Sequence, residues 1–309
     1  LQGYVDAFGS FHYSYGNFIG NNRLTLNGVG IDLANMSSSN FIRNNSALSN
    51  QDGIRLQGSS LNTLYRNTAS YNAGTGILVE PGSNANTILD NRMDSNQGSG
   101  LDVHGFSNFI AHNTATSNTL SGYRLASSLG NTLLNNTARS NHGAGFQLTN
   151  CQYNNLTGNR AVSNANGIEL QQSYDNLFTR NTACSNTFDF FGNSKNNDAM
   201  DNVCDRVEGW RDEGQTYGCD YRCTGCRKLE DNTYINEDTI ICPDTYNIPD
   251  HDGNGVIIIN ASSVTLDCSG STLVGDLQGY GITNIGHHNV TIKGCTLSLY
   301  GIGIGLLGS

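Results

Sequence analysis

Apolar residues alternate with polar ones in short runs along most of this chain, and asparagine recurs between the runs. A unit of 21–24 residues, beginning with asparagine, repeats along the first two thirds of the sequence. The asparagines that open the units are Asn17, Asn40, Asn62, Asn86, Asn108, Asn131, Asn154, Asn176 and Asn197. Later in the unit comes Gly-Ile-x-Leu, for example at residues 30–33 and 53–56. Alternation with a period of two over such short runs predicts short β-strands.

Three short strands per unit predict one coil of a parallel β-helix. A leucine-rich repeat has a similar period, but its Leu-x-x-Leu-x-Leu frame is missing, and a propeller blade needs about twice the length. We predict an all-β, right-handed parallel β-helix, because crossovers between parallel strands are right-handed. The third residue of each unit is expected to stack in the core: Ile19, Ile42, Leu64, Ile88, Ile110, Leu133, Leu156 and Phe178.

Two further columns of asparagine follow the first, at offsets of five and ten residues. Coils of a β-helix stack at about 4.8 Å, so equivalent residues lie directly above one another. We expect the column asparagines to occupy bends, because asparagine tolerates the left-handed backbone region. Their amides can then hydrogen-bond from coil to coil, as asparagine ladders do in amyloid.

The repeat stops after Asn202, and the next segment holds four cysteines and the single tryptophan, Trp210. Strand patterns resume at about residue 239 and contain the Gly-Ile pair again. We therefore predict an aromatic N-terminal segment (1–16), a first stack (17–202), a Cys-rich connector or cap (203–238) and a second stack (239–309).

With these coils the chain resembles right-handed parallel β-helix repeat proteins of the carbohydrate-binding and sugar-hydrolase type, in the pectin-lyase-like superfamily. The resemblance covers residues 17–202 and 239–309 and includes bacterial and archaeal surface proteins. It implies the β-helix fold. Enzymes of this superfamily act on acidic polysaccharides with clustered Asp, Ca²⁺ and an Arg or Lys base, or with a His/Asp pair on one face.

The composition limits the partners and the cellular location that can be expected. The formal net charge is -10 and the pI is about 5.0, which argues against nucleic acid as a partner. No apolar run approaches the roughly 20 residues of a membrane span, so membrane insertion is not expected. Nine cysteines with few charged residues favour an oxidising, extracellular or cell-surface location.

Candidate chemistry is sparse. The best outward column is the x of Gly-Ile-x-Leu, where Asp32 is expected to stack with Arg55 and Asp102 with Arg124. Interleaved charges of this kind favour a solvated face over a catalytic one. Asp250, His251 and Asp252 are a weak catalytic alternative inside a Gly-rich turn. We expect no metal and no cofactor. The sequence favours a protein that is not an enzyme.

The cysteines after residue 203 are expected to form disulfides. The alternative is a zinc site of Cys219, Cys223 and Cys226 with Cys204 or Cys242. The disulfide candidates are Cys204, Cys219, Cys223, Cys226, Cys242, Cys268 and Cys295, with no pairs assigned. Since nine is odd, at least one thiol is free, buried or intermolecular. Sequons for N-glycosylation lie at Asn35, Asn44, Asn135, Asn155, Asn260 and Asn289.

The printed sequence opens at Leu1 and stops inside a coil, so it is expected to be a mature product or a slice of a longer chain. Bare coil ends recruit another chain. We therefore predict an extracellular structural protein whose copies stack head to tail, or a tandem repeat of a surface filament or coat. The alternatives are a polysaccharide lyase or uronate epimerase, or a glycan-binding module. The expected assembly residues are Tyr4, Phe8, Phe11, Tyr13, Tyr15, Ile304, Leu306 and Leu307.

Overall fold

The computed structural model describes residues 14–192, 194, 196–210, 219–223, 225–242 and 244–308, with the backbone of two short strands before them. Those two strands, Tyr4–Val5 and Phe11–His12, pair antiparallel, and all other strand pairs described are parallel. The chain divides into two compact units, Leu1–Gly218 and Cys219–Ser309. The predicted all-β, right-handed parallel β-helix is confirmed.

The coils of unit 1 form three parallel sheets, and each of the first eight coils contributes one strand to each sheet in turn. Sheet I contains Val29–Ala34, Asp52–Gln57, Ile77–Val79, Leu101–Val103, Tyr123–Ala126, Phe146–Thr149, Asn166–Gln171, Phe188–Gly192 and Val207–Glu208. Sheet II contains Arg23–Thr25, Ser46–Leu48, Thr68–Ser70, Arg92–Asp94, Thr114–Thr116, Thr137–Arg139, Arg160–Val162 and Thr182–Cys184. Sheet III contains Phe18–Gly20, Phe41–Arg43, Thr63–Tyr65, Thr87–Leu89, Phe109–Ala111, Thr132–Leu134, Asn155–Thr157, Leu177–Thr179 and Asp198–Met200.

Unit 2 repeats this plan with fewer coils. Its sheet IV contains Thr233–Ile235, Ile257–Ile259, Tyr280–Ile285 and Ile302–Leu307. Sheet V contains Thr239–Ile240, Thr265–Asp267 and Thr291–Lys293, and sheet VI contains Thr245–Asn247, Thr272–Val274 and Thr296–Ser298. Within the described part of the chain, no helix has the length and apolar character that crossing a membrane requires.

Both stacks reach further into the Cys-rich segment than the sequence predicts. Val207–Glu208 pairs with Phe188–Gly192 and so adds a strand to sheet I, beyond the predicted end at residue 202. Thr233–Ile235 pairs with Ile257–Ile259, before the predicted start of the second stack at residue 239. The predicted bounds of the stacks rest on the asparagine columns. These outer strands lack such asparagines, so the sequence does not predict them.

The core of unit 1 is a set of apolar columns that match the repeat. The third residue of the unit is fully buried from Ile42 to Phe178, and only Ile19 in the first coil is half-buried. The register is strict, since Ile42 lies opposite Leu64 and Leu64 opposite Ile88. Burying each such side chain stabilises the stack by roughly 1.5–3 kcal/mol.

The coil has two short sides and one long side. Successive ladder asparagines are five residues apart on the sides that carry sheets III and II, as from Asn62 to Asn67 and from Asn67 to Asn72. The side that carries sheet I takes the remaining 14 residues from Asn72 to Asn86 but only 11 from Asn186 to Asn197. All the variation in coil length therefore lies on the sheet I side.

Three ladders of buried asparagine run along the corners of unit 1. Asn113 shows the pattern: its Nδ2 donates to the carbonyls of Ile88 (2.8 Å) and Ala111 (3.0 Å) and to Oδ1 of Asn136 (3.0 Å). Its Oδ1 accepts from the backbone N–H (2.8 Å) and Nδ2 (3.0 Å) of Asn91. Each amide thus satisfies buried backbone groups of its neighbouring coils, which would otherwise be costly to bury.

The expectation that these asparagines adopt the left-handed conformation is wrong. The residue before each ladder asparagine adopts it, as in Asn44 (φ 54°), Arg66 (φ 54°) and Leu61 (φ 59°). The ladder asparagine must turn its amide inward to reach the next coil, so the preceding residue makes the corner. Left-handed backbone costs a non-glycine residue about 1–2 kcal/mol, and coil stacking must offset that cost at every corner.

Leu61→Gly is expected to raise the free energy of unfolding by about 0.5 kcal/mol, because glycine removes the left-handed penalty at the cost of more freedom in the unfolded chain. Little apolar burial is lost, since Leu61 is 61% exposed. Leu120 is similarly exposed, at 54%, but is not left-handed, so Leu120→Gly should lower the same free energy by about 1 kcal/mol. Urea titration measures both; a loss of stability in Leu61→Gly would contradict this account.

Candidate functional site

One outward surface of unit 1 concentrates the polar side chains that the sequence singles out. In Gly-Ile-x-Leu the apolar residues point inward, so x points outward from sheet I. The x residues lie opposite one another in register: Asp32, Arg55, Leu78, Asp102, Arg124, Gln147 and Glu169. We call these residues, together with the adjoining Glu80, His104, Asn166 and Gln171, the polar face.

Both opposite-charge pairs expected from the sequence are present on this face. Arg55 donates to Asp32 twice, from Nε to Oδ1 (3.0 Å) and from a terminal nitrogen to Oδ2 (2.8 Å). This hydrogen bonding raises the pKa of the Arg55 guanidinium. Arg124 donates from one nitrogen to both oxygens of Asp102 (3.1 and 2.9 Å). The two arginines are therefore held in fixed positions by carboxylates one coil away.

His104 extends the second pair. Its Nε2 lies 3.3 Å from Oδ1 of Asp102, so one carboxylate lies between an imidazole and a guanidinium. Glu80 lies one coil from His104, since each directly follows one of the register partners Val79 and Val103. The sequence-based prediction includes neither residue, because both lie outside the x column. The period-two alternation, continued by one step, brings residue x+2 to the same side of the sheet.

A buried carboxylate anchors the other end of the polar face. Glu169 is only 8% exposed, and three side-chain amides surround it. Its Oε1 accepts from Nε2 of Gln171 (2.6 Å) and Gln147 (3.3 Å), and its Oε2 accepts from Nδ2 of Asn166 (2.8 Å). These bonds compensate the burial of the charge and fix the orientation of three amides at the surface.

The x column does not place two carboxylates close together. Asp102 and Glu169 are three coils apart, and so are Asp32 and Asp102, which is about 14 Å at the spacing of paired strands. The acid and base of a glycosidase are roughly 5–9.5 Å apart. The carboxylates of the x column are therefore far from one another, and each is paired with an arginine or hydrogen-bonded by amides.

The weak catalytic alternative lies in a turn of unit 2, where Asp250 is 5% exposed and holds the backbone. Its Oδ1 accepts from the N–H of Gly253 (2.9 Å), and its Oδ2 accepts from those of Gly255 (3.1 Å) and Tyr280 (2.7 Å). Next to it, the N–H of His251 donates to Asp231, and Nδ2 of Asn254 donates to Asp252. The carboxylate of Asp250 has a structural role in this arrangement.

Burial, together with carboxylates in and near the same turn, raises the pKa of Tyr300. The phenol of Tyr300 donates to the carbonyl of Ile248 (2.8 Å). Burial raises its pKa to about 12, and the carboxylates of Asp231, Asp250 and Asp276 add to the shift.

Because the folded-state pKa of Tyr300 lies above the ordinary value of 10.0, folding favours the protonated phenol. The resulting stability is present below pH 10 and is lost as the pH rises from about 10 to about 12. Tyr300→Phe should flatten this part of the pH dependence of unfolding and remove one late-titrating tyrosine from the ultraviolet titration. An unchanged slope would contradict the assignment.

The cysteine candidates are all disulfide-bonded. Unit 2 contains the pairs Cys226–Cys242 and Cys268–Cys295. Cys204, Cys219 and Cys223 are also in disulfides, and so is Cys184, which the sequence analysis did not include. Cys151 is a buried free thiol.

The sequons and the assembly residues differ in accessibility. Four sequon asparagines have exposed side chains at bends with positive φ, namely Asn35, Asn44, Asn135 and Asn289. Asn155 is half-buried on a strand, and Asn260 donates its amide to Asn236. Tyr15, Ile304, Leu306 and Leu307 are exposed. Phe8 and Tyr13, and the side chains of Tyr4 and Phe11, lie outside the described residues.

Two family models match parts of the chain. A model described as a right handed beta helix region matches residues 8–114. A model described as a periplasmic copper-binding protein (NosD) matches residues 99–237. A search of curated protein sequences finds no significant match.

Three solved structures are similar to the chain at low identity, each with a TM-score below 0.5. The Dettilon tailspike protein is 11% identical with a TM-score of 0.42, over 94% of this chain and 61% of that one. Tailspike protein 2 of Escherichia coli O157:H7 bacteriophage CAB120 is 12% identical with a TM-score of 0.47, over 92% and 42%. The A-module of an Azotobacter vinelandii mannuronan C-5 epimerase is 13% identical with a TM-score of 0.40, over 96% and 91%. The chain thus spans less than two thirds of either tailspike.

Proposed function

We propose that this right-handed parallel β-helix protein is an extracytoplasmic glycan-binding protein, and that the polar face is its binding surface. The observation that carries the proposal is the x column, the row of planar polar side chains along sheet I, which Leu78 alone interrupts and in which all but Glu169 are half-exposed. They repeat at the coil spacing of about 4.8 Å, and their partners hold them in place. A sugar hydroxyl both donates and accepts hydrogen bonds, as do the amides and paired charges of this face.

Pre-organisation supports binding over turnover. Since Gln147, Asn166 and Gln171 are already oriented by Glu169, a ligand would order few side chains. The carboxylates of the x column are too far apart to act as an acid and base on one bond. Eight of the nine cysteines are in disulfides, which favours a secreted protein.

The test is binding to a panel of immobilised polysaccharides. We expect Gln147→Ala to lower affinity at least about ten-fold, which corresponds to about 1.4 kcal/mol. Gln97→Ala is the matched control, because Gln97 is exposed at a bend and is not one of the residues of the polar face. Release of sugar fragments during incubation would instead favour an enzyme, and loss of that activity in Glu80→Gln would locate it. Equal affinity of the Gln147 and Gln97 variants would place binding elsewhere.

Head-to-tail stacking is the second candidate function. Ile302–Leu307 pairs with Tyr280–Ile285 along one edge, and no strand among the described residues pairs with the other edge. Ile302, Ile304 and Leu306 are exposed on this strand. We propose that the first coil of a second copy, beginning at Phe18–Gly20, adds to this edge by parallel pairing. Such a heterologous contact does not close and gives a filament.

Sedimentation over a wide concentration range, with electron microscopy, tests the stacking. The double variant Ile304→Lys, Leu306→Lys should abolish assembly, because charges at an edge strand prevent pairing. Leu277→Lys is the control, since Leu277 is an exposed residue of the same unit outside the strands. A monomer at every concentration would rule stacking out.

Copper binding does not carry over from the matched family description. Imidazole, thioether and thiolate groups are the side chains that bind copper. The free thiol of the matched segment, Cys151, is buried. The matched segment holds His104, His112, His142 and Met200. These histidines occupy three different places around the coil, and within the described residues none belongs to a group of three potential metal ligands. The donor set does not fit a copper site.

A further inference from the structure

We infer that the ligand of the polar face is a neutral polysaccharide, one without uronate, sulfate or phosphate groups. The inference rests on the proposed glycan-binding function and names the class of glycan. It departs from the acidic substrates that the resemblance to β-helix enzymes suggests. The reason lies in how the charges of the face are paired.

The positive charge of both arginines of the face is already paired with a carboxylate of the same chain. Arg55 and Asp32 satisfy each other through two parallel hydrogen bonds, with 29% and 25% of their side chains exposed. Arg124 binds both oxygens of Asp102, which is only 15% exposed. A carboxylate on a ligand would have to share the guanidinium with the aspartate that already pairs with it, and the two carboxylates would repel each other.

The remaining charge of the face repels anions. Asp32, Glu80, Asp102 and Glu169 supply four carboxylates against the two guanidinium groups of Arg55 and Arg124, a difference of two negative charges. The whole chain, these groups included, carries a formal charge of -10. Like charges at an interface oppose binding of the wrong partner. A uronate polymer would bring one further negative charge with each sugar.

Hydroxyl groups, in contrast, match what the face leaves open. Gln147 uses one amide hydrogen on Glu169 and accepts at Oε1 from the hydroxyl of Ser121 (3.2 Å). A side-chain amide has a second hydrogen and a second lone pair. The paired carboxylates likewise keep lone pairs for sugar hydroxyls, which can donate without adding charge.

Affinity electrophoresis in gels containing polysaccharide tests the inference, with mannan, glucan and galactan as neutral probes and pectate and alginate as uronate probes. We expect retardation by at least one neutral probe, insensitive to salt, and none by the uronates. Retardation by uronates that added salt abolishes would overturn this inference and leave glycan binding intact. Retardation by none of the probes would overturn both.

A variant that releases Arg124 from its ion pair provides a second test. Asp102→Asn releases Arg124 from its ion pair, so the variant should gain salt-sensitive binding to pectate or alginate, at least about ten-fold over the original chain. Asp90→Asn is the matched control: it makes the same change in charge and frees Arg66, which lies at a bend away from the polar face. No gain with Asp102→Asn, in a variant that circular dichroism shows to be folded, would contradict the role of the ion pair, as would an equal gain with Asp90→Asn.

Discussion

Replacing Asn136 by aspartate is expected to lower the free energy of unfolding of unit 1 by about 4 kcal/mol. The Nδ2 of Asn136 donates to the carbonyl of Ile110 (2.9 Å) and to Oδ1 of Asn159 (3.0 Å). In the variant an oxygen faces both acceptors. Two buried acceptors lose their donor, and a carboxyl group must be either buried with its charge or protonated.

The neighbouring residue provides the control. Asn135 has the same chemistry and is adjacent in sequence, but its side chain is exposed. Asn135→Asp should change the free energy by no more than about 0.5 kcal/mol. Chemical denaturation followed by far-ultraviolet circular dichroism measures both variants. Similar values for the two would show that the ladder amides are not a main source of stability.

The second large effect is expected from Gly145→Ala. Gly145 belongs to the glycine column of Gly-Ile-x-Leu, where consecutive coils approach one another closely. An added Cβ would lie 2.7 Å from the carbonyl oxygen of Gly167, 2.8 Å from Cβ of Ala161 and 2.9 Å from Nδ2 of Asn164. Backbone and a ladder amide would both have to move, so we expect a loss of about 3 kcal/mol.

Gly28→Ala is the control for the glycine column. A Cβ at Gly28 meets no atom within 4 Å, and its backbone is not left-handed. This substitution should be neutral or slightly stabilising, because alanine has less freedom in the unfolded chain. Thermal unfolding compares the two variants. Equal melting temperatures would mean that the coils can separate at the glycine column without loss.

The sequence predicts the elements that repeat, because in a solenoid one local pattern is imposed on every coil. The column from Ile42 to Phe178 and the ion pair of Asp102 with Arg124 follow from spacing alone. The corners do not, since the left-handed position holds residues as different as Arg66, His112 and Gly158. The corner conformation is therefore fixed by the stacking of the coils and not by the intrinsic preference of those residues.

The disulfides show a different limit. The spacing of Cys268 and Cys295 is close to one coil, but counting along the sequence puts their strands about one residue out of register. In unit 2 the bend between Asp267 and Thr272 has four residues, and the equivalent bend between Lys293 and Thr296 has two. Unequal bends bring the two Cα atoms to 4.8 Å. Bend length depends on the neighbouring coil, so counting along the chain could not give the pair.

The unequal sides of the coil bear on how such a protein evolves. Two sides keep five residues between ladder asparagines, whereas the third side varies from 11 to 14 and carries the polar face. A codon inserted or deleted there leaves the five-residue spacing of the three corner asparagines unchanged. Duplication of a whole coil likewise copies all three corners intact. Selection can therefore alter the sheet I side of one coil at a time while the corner asparagines are inherited unchanged.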